Sequence, residues 1–204
     1  MIVFPNCKIN LGLHILNKRE DGYHNLETVF YPVQLRDALE VVRRDDGRQT
    51  TDDTHDSPLK THESSIIFSS TGLPIAGDPE TNLCIKAYRL LKKDFPSLPP
   101  VQMHLHKAIP MGAGLGGGSS DAATTLIVVN QLWQCGLNTE QLADLGVQLG
   151  ADVPIFVHGR NAWAEGIGEH LTFIDLDQKQ YIVLKPDCFI STQLLFSQKT
   201  LTRN

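Results

Sequence analysis

Pro110-Met111-Gly112-Ala113-Gly114-Leu115-Gly116-Gly117-Gly118-Ser119-Ser120-Asp121 places five glycines within seven residues. Glycine loses more conformational freedom on folding than any other residue, so such a cluster is costly unless the backbone uses that freedom. Just before it, Val101, Met103 and Leu105 alternate with Gln102, His104 and His106, the period of a half-buried strand. Just after it, Ala122, Leu126, Val129 and Trp133 share one face of a helix predicted over Ser119–Trp133. A strand, a glycine-rich turn and a helix in that order collect free backbone N–H groups at the positive end of a helix dipole, which is an anion site. Ser119 and Ser120 are expected to cap the helix or to offer hydroxyls to a phosphate or a magnesium ion. The stretch lacks the Gly-Lys-Ser/Thr of a Walker loop. Gly112-x-Gly114-x-x-Gly117 fits the dinucleotide fingerprint, but no regular βαβ array surrounds it. A glycine-rich turn without a ligand is the alternative.

Outward from the loop, Asn82–Lys93 carries Leu83, Ala87, Leu90 and Leu91 at helical spacing. Asn138-x-x-Gln141 predicts a capping box opening a third helix, with Leu142, Leu145 and Leu149 inward and Gly150 as its stop. Strands are predicted at Leu26–Val33, Ala38–Val42, Ser65–Ser69, Ala162–Glu165, Leu171–Ile174 and Tyr181–Leu184. Lys8, set among apolar residues, is placed on a buried strand near the start. The run Arg44–Ser64 holds one large aliphatic residue, Leu59, and reads as an exposed polar loop. Strands followed by helices point to an α+β fold.

Composition narrows the function classes. The chain has 204 residues, 41% hydrophobic and 20% charged, and a net charge of -5. That balance argues against a nucleic-acid or anionic-membrane partner, so a polyanion must be held by local geometry. Cys7, Cys84, Cys135 and Cys188 are too scattered for a metal or disulfide framework. No metal site built from protein side chains is expected. With neither a secretory pattern nor a spanning run of about 20 apolar residues, the expectation is a soluble, cytoplasmic protein, monomeric or weakly dimeric.

The whole string Pro-x-Gly-x-Gly-Leu-Gly-Gly-Gly-Ser-Ser resembles the phosphate-binding motif of the GHMP kinases. Three further blocks, in order, resemble the branch of that family that phosphorylates 4-diphosphocytidyl-2-C-methyl-D-erythritol. They are Pro5-Asn6-Cys7-Lys8-Ile9-Asn10-Leu11 with Arg19-x-Asp21-Gly22-Tyr23-His24, then Gly150-Ala151-Asp152-Val153-Pro154-Ile155-Phe156, then Ser191-Thr192-x-x-x-Phe196. The resemblance implies an N-terminal domain, residues 1–158, similar to the second domain of ribosomal protein S5. It also implies the start of a ferredoxin-like domain at 159–204. Family members carry a later glycine-rich block beyond Asn204, so the chain is expected to be C-terminally short and a weak catalyst by itself.

The resemblance also assigns roles. Asp152 is implied as the base that accepts the proton of the acceptor 2-hydroxyl, with Lys8 as its charged partner; without the resemblance, Asp152 reads as a turn or cap residue and Lys8 as an edge-strand lysine. The implied ATP site comprises Pro110, Met111, Gly112, Ala113, Gly114, Leu115, Gly116, Gly117, Gly118, Ser119 and Ser120, with Asn82 and Lys107 near adenine. Mg2+ would arrive with ATP. The implied substrate side, for a cytidine-diphosphate alcohol, comprises Asn10, Tyr23, His24, Phe30, Thr192 and Phe196, with Tyr23 and His24 presented side by side for stacking on cytosine. Phe30 reads equally well as core. His104, His106 and His158 receive no role. Other GHMP kinases, for homoserine or mevalonate, a non-catalytic nucleotide-binding module and an S5-like RNA-binding domain stand as alternatives.

Overall fold

The computed structural model describes residues 1–44 and 65–186. Among the described residues, two four-stranded sheets and four α-helices surround one main core. The first sheet has the order β1 (Ile2–Val3), β4 (Ala38–Arg43), β6 (Val101–Lys107), β5 (Ile66–Gly72). The second has the order β2 (Asn6–Lys18), β3 (His24–Arg36), β7 (Ala162–Glu165), β8 (His170–Phe173), all antiparallel. Only β5 and β6 pair in parallel among the described strands, because α1 (Leu83–Asp94) carries the chain back between them.

Alternation decides which face of β6 is inside. Val101, Met103 and Leu105 are buried to 1% exposure or less, while Gln102, His104 and His106 face outward. On that outer face His104 Nδ1 and Nε2 lie 2.8 and 3.0 Å from Ser69 Oγ and Thr71 Oγ1, a polar cross-strand ladder. The inner face packs against α1 and α2 (Gly117–Leu132) through Tyr88, Leu91, Leu126 and Val129. α3 (Thr139–Val147) opens on the expected capping box, with both reciprocal bonds between Asn138 and Gln141 at 2.9 Å.

Several expectations are corrected. α2 begins at Gly117, two residues before Ser119, because Gly116 takes the left-handed conformation at φ 69° and ends the loop there. Neither serine caps the helix, since no side chain accepts at its N-terminus. After Asp152 the chain does not return directly to strand: α4 (Val153–His158) intervenes, with Pro154 at a position that needs no N–H. Tyr181–Leu184 forms no strand; Ile182 and Leu184 are 91% and 87% exposed, and Tyr181 instead packs edge-on against Tyr31, with ring centroids 5.2 Å apart. β7 pairs with β3 and buries Ala162 and Ala164 in the main core. Thr192, Phe196 and residues 45–64 of the polar loop lie outside the described residues.

Candidate active site

β2 carries Lys8 into the interior, where the residue is 4% exposed. An isolated buried ammonium would be costly, so its surroundings must supply acceptors. Asp152 Oδ2 lies 3.4 Å from Lys8 Nζ, Asn10 Oδ1 accepts from it at 2.6 Å, and the Phe30 ring lies under it with its centroid at 4.8 Å. Asp152 itself is about one third exposed at its side chain. It occupies the cap position of α4 but makes no capping bond, so its carboxylate is available to the site. Asp152 thus stands in the turn that opens α4, as its residue type alone suggested, without spending its side chain as a cap, and Lys8 lies on an edge strand yet points inward.

The glycine-rich loop closes over this pair. Lys8 N donates to Leu115 O at 3.0 Å, fastening the loop to β2. A Cβ on Gly116 would meet the Phe156 ring at 2.8 Å and Lys8 Cε at 3.3 Å, so the loop backbone rests on the lysine stem. Gly112, Gly114 and Gly116 all hold positive φ, between 67° and 70°, which L side chains rarely adopt. Because α2 lacks a side-chain cap, its first N–H groups face a small cavity of about 200 Å³ lined by the loop from Pro110 to Ser119. Ser119 borders that cavity, whereas Ser120 is only 1% exposed and sits behind it.

A second cavity of about 320 Å³ adjoins the first, sharing Leu83, Lys107, Met111 and Gly118 with it. Its walls come from Phe68–Ser70 of β5, residues of the segment Ile75–Thr81 and Asn82, giving an apolar slot next to the loop cavity. Asn82 lines it but spends its side-chain oxygen capping α1, accepting from Cys84 N at 2.8 Å. Lys107 lines both cavities, yet its ammonium is committed to Asp37 at 2.5 Å and Asp121 at 2.7 Å, all three buried. Burial alone would push the Lys107 pKa down; the two carboxylates overcome that and hold it above its ordinary value. Asp37 Oδ1 also accepts from Ala108 N and Ile109 N, at 2.6 and 2.8 Å. This triad ties the entry of the loop to the second turn of α2.

On the acceptor side the expected residues separate. Asn10 joins Lys8 as described. Tyr23 is 60% exposed at the β2–β3 hairpin, but His24 is 6% exposed, so the two rings are not presented side by side. The reason is strand geometry: His24 begins β3 and neighbouring residues point to opposite faces. Phe30, at 2% exposure, is a core residue whose ring supports Lys8 and reaches the turn at Gly168. Sequence reasoning missed that turn, which packs beside Asp152; a Cβ on Gly168 would lie 3.7 Å from Asp152 Oδ1. It also missed Asp37 and Thr28, whose single-residue spacing carries no signal until the strands are paired.

Residues 82–160 match the family model described as GHMP kinases N terminal domain. 4-Diphosphocytidyl-2-C-methyl-D-erythritol kinase from Acinetobacter baumannii (strain ATCC 17978) is 55% identical over 205 residues, 100% of this chain and 67% of that protein. The chain belongs to this kinase family, a branch of the GHMP kinases. The protein of the same name from Acinetobacter baylyi is 56% identical over 97% of this chain and 64% of its own length. This member of the family thus spans about two thirds of the curated relatives it matches. A crystal structure of a 4-(cytidine 5'-diphospho)-2C-methyl-D-erythritol kinase superposes with a TM-score of 0.68 at 36% identity, over 87% of this chain and 56% of that one. The α+β GHMP-kinase fold expected from the loop is therefore the fold observed.

Proposed function

We propose that the chain carries the phosphoryl-transfer centre of an ATP-dependent kinase acting on the 2-hydroxyl of 4-diphosphocytidyl-2-C-methyl-D-erythritol, a step of the non-mevalonate route to isoprenoid precursors. The observation that carries the reading is the contact of Gly116 with the stem of Lys8, which is itself paired with Asp152. It brings an anion-binding loop and a carboxylate–ammonium pair to one point, as transfer between a phosphate and a hydroxyl requires.

In this reading the N–H groups of the loop and of α2 hold the triphosphate, and the adjoining cavity beside Asn82 takes the nucleoside. Asp152 accepts the proton of the acceptor hydroxyl while Lys8, 3.4 Å from it, offsets charge on the transferring group. Mg2+ is assigned to the ATP triphosphate, with which it would arrive and whose charge it would neutralise. Tyr23, exposed at the hairpin, is the residue in reach of a cytosine ring, and Thr192 and Phe196 are retained on this side from the family resemblance. The chain is proposed to act in the cytoplasm; among the described residues no helix is long and apolar enough to cross a membrane.

The test is a comparison of ATP-dependent turnover with the cytidine-diphosphate alcohol, homoserine and mevalonate. Preference for the first is expected. Equal turnover of an acceptor lacking cytosine would sink the proposal.

A further inference from the structure

The polarity of the hydrogen bonds behind Lys8 can be followed to a residue that no substrate reaches. β2 and β3 pair at Asn10 with Phe30 and next at Leu13 with Thr28, leaving Leu11 and Gly12 opposite Val29 alone. This bulge, with Gly12 at φ 80°, turns the Gly12 carbonyl out of the ladder, and Thr28 Oγ1 donates to it at 2.6 Å. A carbonyl can only accept, and a threonine hydroxyl has one proton. With that proton committed, Thr28 Oγ1 can only accept from its other neighbour. That neighbour is Asn10 Nδ2, at 2.9 Å. The amide is thereby held with its nitrogen towards Thr28 and its oxygen towards Lys8 Nζ, at 2.6 Å. The opposite amide orientation would set two donors, an NH2 and an ammonium, against each other.

We propose that Thr28 is a positioning residue for phosphoryl transfer: its hydroxyl, oriented by the bulged Gly12 carbonyl, fixes the Asn10 amide so that Lys8 is drawn into place beside Asp152. This deepens the proposed function and rests on it. Thr28 is 2% exposed and acts only through Asn10. It sits mid-sheet, opposite Leu13 on one side and Ala164 on the other, where valine is an equally good strand residue. Thr28→Val therefore removes the hydroxyl with little change of shape.

The experiment measures turnover, with ATP and the cytidine-diphosphate alcohol, in Thr28→Val, Thr28→Ser, Asn10→Ala and the Asn10→Ala/Thr28→Val double variant. Loss of one oriented hydrogen bond at the lysine is expected to lower kcat about tenfold in Thr28→Val, with the KM for ATP changed less than about twofold. Thr28→Ser restores the hydroxyl and should stay within about twofold of the parent. In the Asn10→Ala background, Thr28→Val should cost less than about twofold, because its route to Lys8 is gone. An unchanged kcat in Thr28→Val, or the same loss in both backgrounds, overturns the proposal.

A readout independent of turnover is the exchange of the Asn10 side-chain amide protons, followed by NMR. Protection is expected in the parent chain and in Thr28→Ser, and its loss in Thr28→Val; equal exchange in all three overturns the relay. A parent chain that turns over no cytidine-diphosphate alcohol counts against the proposed function, and the exchange data still decide the role of Thr28. Should Thr28→Val fail to melt cooperatively, Thr28→Ser decides. Parent-like kcat and protection uphold the hydroxyl, and a loss of either overturns it.

Discussion

Lys107 Nζ lies 2.7 Å from Asp121 Oδ2 beneath the glycine-rich loop, and Asp37 closes the group from the other side at 2.5 Å. Two buried carboxylates share one ammonium, so one of them titrates abnormally. Burial, only partly offset by Lys107 and reinforced by Asp37, raises Asp121 from 3.8 to about 7. The adjacent Cys84 thiol, pushed up to about 12 chiefly by burial, stays neutral throughout this range.

The sign of the pH effect follows from that shift. Between about pH 4 and about pH 7 the folded state holds a proton on Asp121 that the unfolded chain has released. The stability this group contributes is therefore full below about pH 4, falls as the pH rises towards about 7, and is level above that. Asp121→Asn removes the titration, so its stability relative to the parent should increase across that window. Urea denaturation at several pH values reads the difference directly. Parallel curves for the two chains would show that Asp121 titrates normally.

The Lys8–Asp152 pair gives a second expectation. Asp152→Asn keeps the shape of the side chain but removes the proposed proton acceptor and the charge opposite Lys8. The kcat should fall by about 10²–10⁴, with ATP binding little changed because the carboxylate lies on the acceptor side of the loop. Steady-state kinetics together with calorimetric titration of ATP separate the two effects. A near-parent kcat would remove Asp152 from the mechanism.

Tyr23 and His24, adjacent in sequence, should respond to mutation in opposite ways. Tyr23 is exposed and free to stack, so Tyr23→Ala should raise the KM of the acceptor, stacking being worth about 1–3 kcal/mol per base, and leave the melting temperature unchanged. His24 is buried at the start of β3, so His24→Ala should lower stability. Acceptor KM and melting temperature, measured on both variants, check the pair. A stability loss in Tyr23→Ala without a KM change would place Tyr23 in the scaffold.

The difference between these two residues shows where the sequence was legible. The loop, α2 and β6 were readable because local chemistry decides them: alternation at Val101–Leu105, glycines at Gly112–Gly118, one apolar face at Ala122–Trp133. The association of Lys8 with Asp152 came from the family resemblance. The exposure of Tyr23 against His24 depends on strand phase at a hairpin, which a one-residue shift inverts. Asp37 and Thr28 acquire roles only through partners 70 and 18 residues away in sequence. The start of α2 lies two residues before Ser119 because glycine, not serine, terminates the loop. The run at Tyr181–Leu184 has strand composition but finds no pairing edge among the described residues.

The loop glycines separate conformational from steric demand. Gly114 holds φ 70° with nothing within 4 Å of where an added methyl would sit, so Gly114→Ala meets only the left-handed backbone penalty, about 1–2 kcal/mol. Gly116 holds φ 69° too, but its added methyl would stand 2.8 Å from the Phe156 ring and 3.3 Å from Lys8 Cε. Phe156 is 8% exposed and packed in the core, so it has little room to yield. The methyl must therefore push the loop away from Lys8, and separation of the anion site from the carboxylate–ammonium pair should follow. Gly114→Ala is expected to lose stability with a modest change in kcat. Gly116→Ala should lose at least as much stability and, in addition, about 10²-fold in kcat, since a displacement near 1 Å at a reacting centre costs about that much. Thermal unfolding and steady-state kinetics on the two variants make the comparison. Equal kcat values would mean that the contact between Gly116 and Lys8 does not couple the loop to the catalytic pair.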